Sequence, residues 1–236
     1  MDTGLSPLTR MLIRGMIYLS VPALLSLFAF LYVRRVFVTP PDASDPKPVI
    51  FEVAPDTRFR QIASDLVDKG LIRNWWGITL LARLGGKDTA ITAGEYELSR
   101  SMGMMEVLKR LVSGDVVKRR VIVREGVSIW QIGQLLEEAG ILPKSEFDSA
   151  IIDRELLVTA GIPADSFEGY LFPNTYIFSR PVTARKILWT MLEEGEGRWK
   201  TEYSAKADQM NLTRHEILTL ASIIEKESGN TEEQPI

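Results

Sequence analysis

The 236-residue sequence predicts an α+β protein behind one N-terminal transmembrane helix. Three observations carry that prediction. A run of uncharged residues bounded by arginines lies near the N-terminus. A strand–turn–helix pattern over positions 51–72 recurs over positions 121–142, and a capped amphipathic helix near the C-terminus has a carboxylate inside its apolar stripe. The composition, 45% hydrophobic and 25% charged, is that of a globular chain long enough for one or two domains. With no Cys and one His, a disulfide framework, a thiolate nucleophile and a Cys- or His-rich metal site are excluded. A Ser-His-Asp relay would have to run through His215 alone. Acid–base chemistry therefore falls to Asp and Glu, with no metal or cofactor implied. The formal net charge of −3 argues against a nucleic-acid partner.

Residues 1–38 carry Arg10, Arg14, Arg34 and Arg35 against Asp2, net +3, so the remainder carries −6. Between Arg14 and Arg34 the stretch from Gly15 to Val33 holds no charge at all. As a helix it spans roughly 28 Å, close to the hydrocarbon thickness of a bilayer. Pro22 falls inside, which membrane helices tolerate better than soluble ones. A signal peptide or a buried core helix would also be apolar. The run is long for a signal peptide, however, and it ends without a small-x-small cleavage site. A core helix would not be bounded by arginine at both ends. Two arginines flank each side, so charge leaves the orientation open. Thr39 to Pro48 holds four prolines and no large apolar residue, as expected of a stiff spacer that lifts the folded part off the membrane. The expected boundaries are a tail at 1–14, the transmembrane helix at 15–35, the spacer at 36–48, a first module at 49–117 and a second domain at 118–236.

The repeat aligns Phe51 to Thr57 with Val121 to Val127. Phe59, Gln61, Ile62, Leu66, Gly70, Leu71 and Ile72 then align with Ile129, Gln131, Ile132, Leu136, Gly140, Ile141 and Leu142. Each copy reads as a short alternating strand, a turn, and a helix with apolar residues three and four apart, stopped by Gly. Strand–turn–helix units also resemble one another by physics alone. After the first copy the pattern predicts a helix over 75–84, a strand over 94–98 and a helix over 104–112. Trp75, Trp76 and Tyr96 suit either stacking on sugar rings or simple burial.

Two segments in the last third carry chemistry. Phe167 to Tyr176 holds Phe167, Tyr170, Phe172, Tyr176 and Glu168 within ten residues, with Gly169 and Pro173 forbidding a regular helix. Such a loop suits the wall of a carbohydrate cleft, with Glu168, Tyr170, Phe172 and Tyr176 as substrate contacts, or a packed hydrophobic loop. The second segment opens with a capping box, Thr213 and Glu216, and Gly229 is a natural stop. On a helical wheel with Ile217 at zero, Ala221 falls at about 40°, Leu218 at about 100°, Leu220 at about 300° and Ile224 at about 340°. Glu225 falls at about 80°, inside that stripe, Glu227 lies at its edge at about 280°, and His215 points away at about 160°. A carboxyl where leucine is expected is desolvated, and desolvation raises its pKa toward that of a general acid. The alternative is a structural Glu bonded to backbone or Arg.

The strand, two helices and return strand of 49–117 resemble a LysM-like module of βααβ order, a fold that holds peptidoglycan glycan. Leu220 to Ser228, with its Glu225-Lys226-Glu227 core, resembles the signature helix of the endolytic murein transglycosylases, the YceG-like family. The loop from Glu168 to Pro173 resembles that family's other marker. The resemblance implies a single-pass protein of the cytoplasmic (inner) membrane, its N-terminus in the cytoplasm and its domains outside. It implies a lyase that cuts peptidoglycan glycan strands internally, with Glu225 as acid and base. Glu168, Tyr170, Phe172, Tyr176 and Glu227 would contact substrate, and cell-wall synthesis proteins would be further partners. Two departures stand out. Asn174 replaces the family's Asp after Pro173, and the chain stops at Pro235-Ile236 where the family continues, so the catalytic domain over 118–236 is expected to be incomplete. A muramidase with Glu168 or Glu227 as second carboxylate, and a non-catalytic glycan-binding or cell-division scaffold, are the alternatives.

Overall fold

The computed structural model describes residues 7–86 and 91–227, with side chains from residue 20 onward except those of 36 and 226. The N-terminal residues 1–6 of the expected tail, and Gly229 with Pro235-Ile236, lie outside the described residues. The fold is mixed α and β, with two compact units, Met1–Val116 and Val117–Ile236.

The first unit begins with α1 (Pro7–Val33) and a π-helical turn, Arg34–Val38. Leu24, Leu25, Phe28, Phe30 and Leu31 of α1 are all exposed. Among the described residues no helix is long and apolar enough to cross a membrane. The part of α1 with described side chains, residues 20–33, is about 21 Å long. The expected spacer does not stand free. Arg73 donates to the carbonyls of Pro40 and Pro41 at 3.0 and 3.2 Å, the Asp42 amide donates to the Arg100 carbonyl, and Arg100 pairs with Asp45. A proline-rich segment offers many unpaired carbonyls. Here arginine contacts of this kind hold the segment against its own unit.

The body of this unit is β1 (Val49–Val53), α2 (Phe59–Asp68), α3 (Trp75–Leu84), β2 (Gly94–Leu98) and α4 (Met104–Ser113). β1 and β2 pair antiparallel, Phe51 opposite Tyr96. The inward faces of these elements, from Phe51, Ile62, Leu66, Ile78, Tyr96, Val107 and Leu111, form one apolar core. Tyr96 is fully buried with its hydroxyl donating to the Thr92 carbonyl at 2.6 Å, so it is a core residue and no platform for sugar. Trp75 and Trp76 stay partly exposed, Trp75 beneath the Arg60 guanidinium and Trp76 against Phe37.

The second unit repeats this plan with additions: β3 (Arg119–Ile122), α5 (Ile129–Glu138), α6 (Lys144–Ala150), α7 (Arg154–Thr159), β4 (Thr175–Phe178), α8 (Ala184–Arg198), α9 (Thr201–Gln209) and α10 (Arg214–Glu227). The repeat goes further than comparing the chain with itself at one fixed offset reveals. β3 pairs with β4 so that Val121 opposes Tyr176, just as Phe51 opposes Tyr96. From that strand on the offset grows from 70 to 80. Tyr176 donates to the Phe172 carbonyl at 2.6 Å, as Tyr96 does to Thr92. Met104, Val107, Leu108 and Leu111 of α4 correspond to Ala184, Ile187, Leu188 and Met191 of α8, and all eight are buried. Asp56 and Gly126 occupy the same left-handed turn, at φ 58° and 74°. Each unit is thus a β-α-α-β-α module. The longer offset of the second reflects α7 and the loop after it, and α9 and α10 follow the module.

Candidate active site

The site is built on the turn between β3 and α5. Gly126 takes the left-handed conformation there, which costs glycine nothing. Ser128 and Gln131 then start α5, the Ser128 amide and hydroxyl both donating to Gln131 Oε1 at 2.9 and 3.1 Å. The next amide, Ile129, donates to Glu168 Oε2 at 3.0 Å. A carboxylate from a distant part of the chain thus satisfies one of the amides that a helix start leaves open, and the positive end of the helix favours its charge.

Glu168 reaches that position because its loop is anchored on both sides. Phe167 is fully buried, with its amide on the Ile151 carbonyl at 3.1 Å, and the Phe172 amide reaches the Met191 carbonyl. Between them Gly169, at φ 81°, reverses the chain so that Glu168 and Tyr170 diverge. Tyr170 is half-buried and stacks on His215, ring centroids 6.0 Å apart and planes 6° from parallel. Its hydroxyl lies 2.7 Å from His215 Nδ1. Burial pushes the Tyr170 phenol up, partly offset by the Arg214 charge. Phe172 is half-buried beneath Arg198, whose guanidinium lies 5.6 Å from the ring centroid.

α10 starts as the capping box predicts. The Thr213 amide and hydroxyl donate to Glu216 Oε2 at 2.7 and 2.8 Å, and these bonds hold the Glu216 carboxyl below its ordinary range. The face that α10 turns inward differs from the expected apolar stripe. Leu220, Ala221, Ile223 and Ile224 are exposed, Ile217 and Leu218 of the stripe are half-buried, and the contacts that α10 makes with the module are those of His215 with Tyr170 and of Glu225 with the Gly126 turn. Tyr170 engages His215 at the start of the helix by both stacking and a hydrogen bond. His215, expected to point idly away, is the anchor. Glu225, expected among apolar neighbours, is instead exposed. A Cβ on Gly126 would lie 3.5 Å from Glu225 Oε1, so the carboxylate sits over the turn before α5. Glu225 and Glu168 therefore both approach residues 126–129.

Of the remaining expected substrate contacts, Glu227 is exposed at the end of α10. Tyr176 is corrected: it is 5% exposed, belongs to the core, and its hydroxyl is spent on the Phe172 carbonyl. Strand alternation decides this, because Tyr176 and Phe178 face inward while Thr175 and Ile177 face out. Period-two reading of that strand would have found it. Neither composition nor spacing signals the role of His215. Among the described residues no group of His, Cys, Asp or Glu could hold a metal ion.

The pattern of the YceG-like family matches residues 51–236, both modules together, and the chain belongs to that family. Curated relatives named endolytic murein transglycosylase match it from Streptococcus pneumoniae, 26% identical over 89% of this chain and 42% of the relative, and from Bacillus subtilis, 24% identical over 85% of this chain and 59% of the relative. The chain thus spans about half the length of the curated relatives it matches. A crystal structure of a YceG-like protein from Listeria monocytogenes is 25% identical, covering 78% of this chain and 65% of that one, with a TM-score of 0.43.

Proposed function

We propose that this protein is an endolytic murein transglycosylase, a lyase that cuts peptidoglycan glycan strands between N-acetylmuramic acid and N-acetylglucosamine. One observation carries the reading: Glu225, on a helix anchored by Tyr170 and His215, is held over the Gly126 turn with its carboxylate open to solvent. Glu225 protonates the departing glycosidic oxygen. The C6 hydroxyl of the muramyl residue then attacks its own anomeric carbon while the Glu225 carboxylate takes the hydroxyl proton. The bond to the leaving sugar breaks, a 1,6-anhydro ring closes, and Glu225 is returned protonated. No water and no second nucleophile enter. Glu168, Tyr170, Phe172 and Glu227 lie on the loop and helix that would flank the strand. The names of the relatives support the reading.

α1 anchors the chain in the cytoplasmic membrane, a role supported by its exposed leucines and phenylalanines and by the arginine-bounded apolar run. The N-terminus lies in the cytoplasm and the two modules outside. The first module, of βααβ order before its last helix, acts as a LysM-like glycan holder, and cell-wall synthesis proteins are the expected partners.

The test is digestion of purified peptidoglycan with product analysis. The wild-type chain should release 1,6-anhydro ends, and Glu225→Gln should lower that rate by about two to four orders of magnitude. Anhydro ends from Glu225→Gln at the wild-type rate would overturn the assignment. A muramidase is the second reading, favoured by the approach of Glu168 and Glu225 to one turn. It would leave reducing ends instead, and a scaffold would bind sacculi without cutting them.

A further inference from the structure

Trp76, Leu80 and Leu84 succeed one another four residues apart on α3, and all three are exposed. On a helix that spacing sets them in one stripe. The opposite side of α3, with Ile78 and Ala82, is buried in the core of the first unit. The helix is thus apolar on two sides, and the core takes only one of them. A helix apolar all round belongs in a large core or beside lipid. Trp75 on the same helix, and Val38 and Met105, are exposed as well.

Two contacts tie this patch to the end of α1. The Trp76 ring meets Phe37 edge-on, centroids 6.0 Å apart. Gly103, just before α4, approaches the Val38 carbonyl so closely that a Cβ would come within 2.7 Å of its oxygen, which only glycine allows. Phe37 and Val38 belong to the turn that follows α1 directly, so Phe37 lies within roughly 5 Å of Arg34 along the axis. The headgroup layer on each side of the hydrocarbon is about 5–7 Å deep. With Arg34 and Arg35 at the end of the membrane-spanning run, Phe37 and the Trp76 it touches fall in that layer, where tryptophan is enriched.

The charges agree. α3 contains no Asp or Glu. Arg83 in its last turn and Arg60, 5.0 Å from the Trp75 ring centroid, are exposed, as are Arg34 and Arg35. Arginines at that depth meet lipid phosphates while their neighbours enter the acyl boundary, the make-up of a helix that lies in a membrane interface. A glycan strand would engage the tryptophan rings but has no use for the Leu80–Leu84 end of the stripe.

We infer that α3 docks through Trp76, Leu80 and Leu84 on the phospholipid surface around α1, so that the first module is seated on the bilayer rather than tethered above it. The inference rests on α1 being the anchor proposed above. The chain has no Cys, so a single introduced cysteine can carry a fluorescent label without background. Leu80→Cys and Leu84→Cys are labelled with an environment-sensitive dye, with Ile50→Cys on the outward side of β1 as control. All three positions are exposed, so labelling leaves the core intact. The full chain is then reconstituted in vesicles of phosphatidylcholine and phosphatidylglycerol. Labels at positions 80 and 84 should shift to the blue and lose most of their emission when the acyl chains are brominated, while the label at position 50 keeps its colour and intensity. Equal quenching at all three positions, or none at positions 80 and 84 in a chain that alkaline carbonate does not extract, would overturn this inference alone. Extraction by carbonate would overturn the anchoring and this inference with it. A blue shift produced by added glycan oligomers, without quenching by brominated lipid, would overturn it in favour of a sugar platform.

Discussion

The Tyr176 hydroxyl donates to the Phe172 carbonyl at 2.6 Å, and burial, with a smaller push from Glu194, raises its ionisation to about 12. An exposed tyrosine ionises near 10, so the folded protein holds this proton more tightly than the unfolded chain. The resulting contribution to stability is complete below pH ~10 and is lost as the pH rises through about 12. Tyr96, its counterpart in the first unit, is shifted in the same direction by burial. Tyr176→Phe should lose about 1 kcal/mol at neutral pH, the value of a buried hydrogen bond, and should flatten the alkaline fall in stability. Urea unfolding from pH 7 to 12 reads both, and an unchanged alkaline slope would contradict the assignment. Earlier in the same loop, Tyr170 uses its hydroxyl quite differently, to fix His215. Residue type and loop membership do not separate the two; strand alternation separates Tyr176, and only the fold supplies Tyr170 with its partner.

At the scale of elements, Glu168 joins a loop to a helix it does not neighbour in sequence. Its carboxylate takes the Ile129 amide at the start of α5. Glu168→Ala should cost about 1 kcal/mol, as capping losses do, whereas Glu168→Gln keeps an acceptor and should cost less. Thermal unfolding measures the difference. Activity then sorts the roles: a Gln form that is stable but has lost cleavage makes the charge itself part of the chemistry, and one that cleaves normally leaves Glu168 a cap. The α10 helix was legible at its start, where Thr213 and Glu216 behave as the capping box requires. Its rotation was not. A wheel ranks faces by hydrophobicity, but here His215, on the far side of the wheel, is half-buried by a stacked and hydrogen-bonded contact with Tyr170, while Leu220, Ile223 and Ile224 are exposed.

At the scale of the molecule, the two modules have separate hydrophobic clusters with no residue in common. Leu66 and Leu136 are equivalent, each fully buried in its own cluster. Leu66→Ala should destabilise the first unit by about 2–5 kcal/mol and leave amide exchange in α5 at its wild-type rate, while Leu136→Ala does the reverse. Loss of protection in both units from either substitution would show the cores to be one cooperative structure.

The repeat explains how much of this was readable beforehand. Strand–turn–helix order, the buried positions from Phe51 to Ile72 and from Val121 to Leu142, and the turns at Asp56 and Gly126 follow from period and local conformation, which neighbouring residues set. The arginine-bounded apolar run and the lack of Cys likewise belong to sequence alone. The second half of the repeat was hidden because α7 and its loop lengthen the offset. Strand pairing, Phe51 with Tyr96 and Val121 with Tyr176, brought it out. The approach of Glu168, Glu225 and Gly126, and the anchoring of α10 by Tyr170, were decided only by tertiary structure. They join residues far apart in the chain, Ile129 with Glu168, Tyr170 with His215 and Gly126 with Glu225, and at such separations local propensity carries no information about who meets whom.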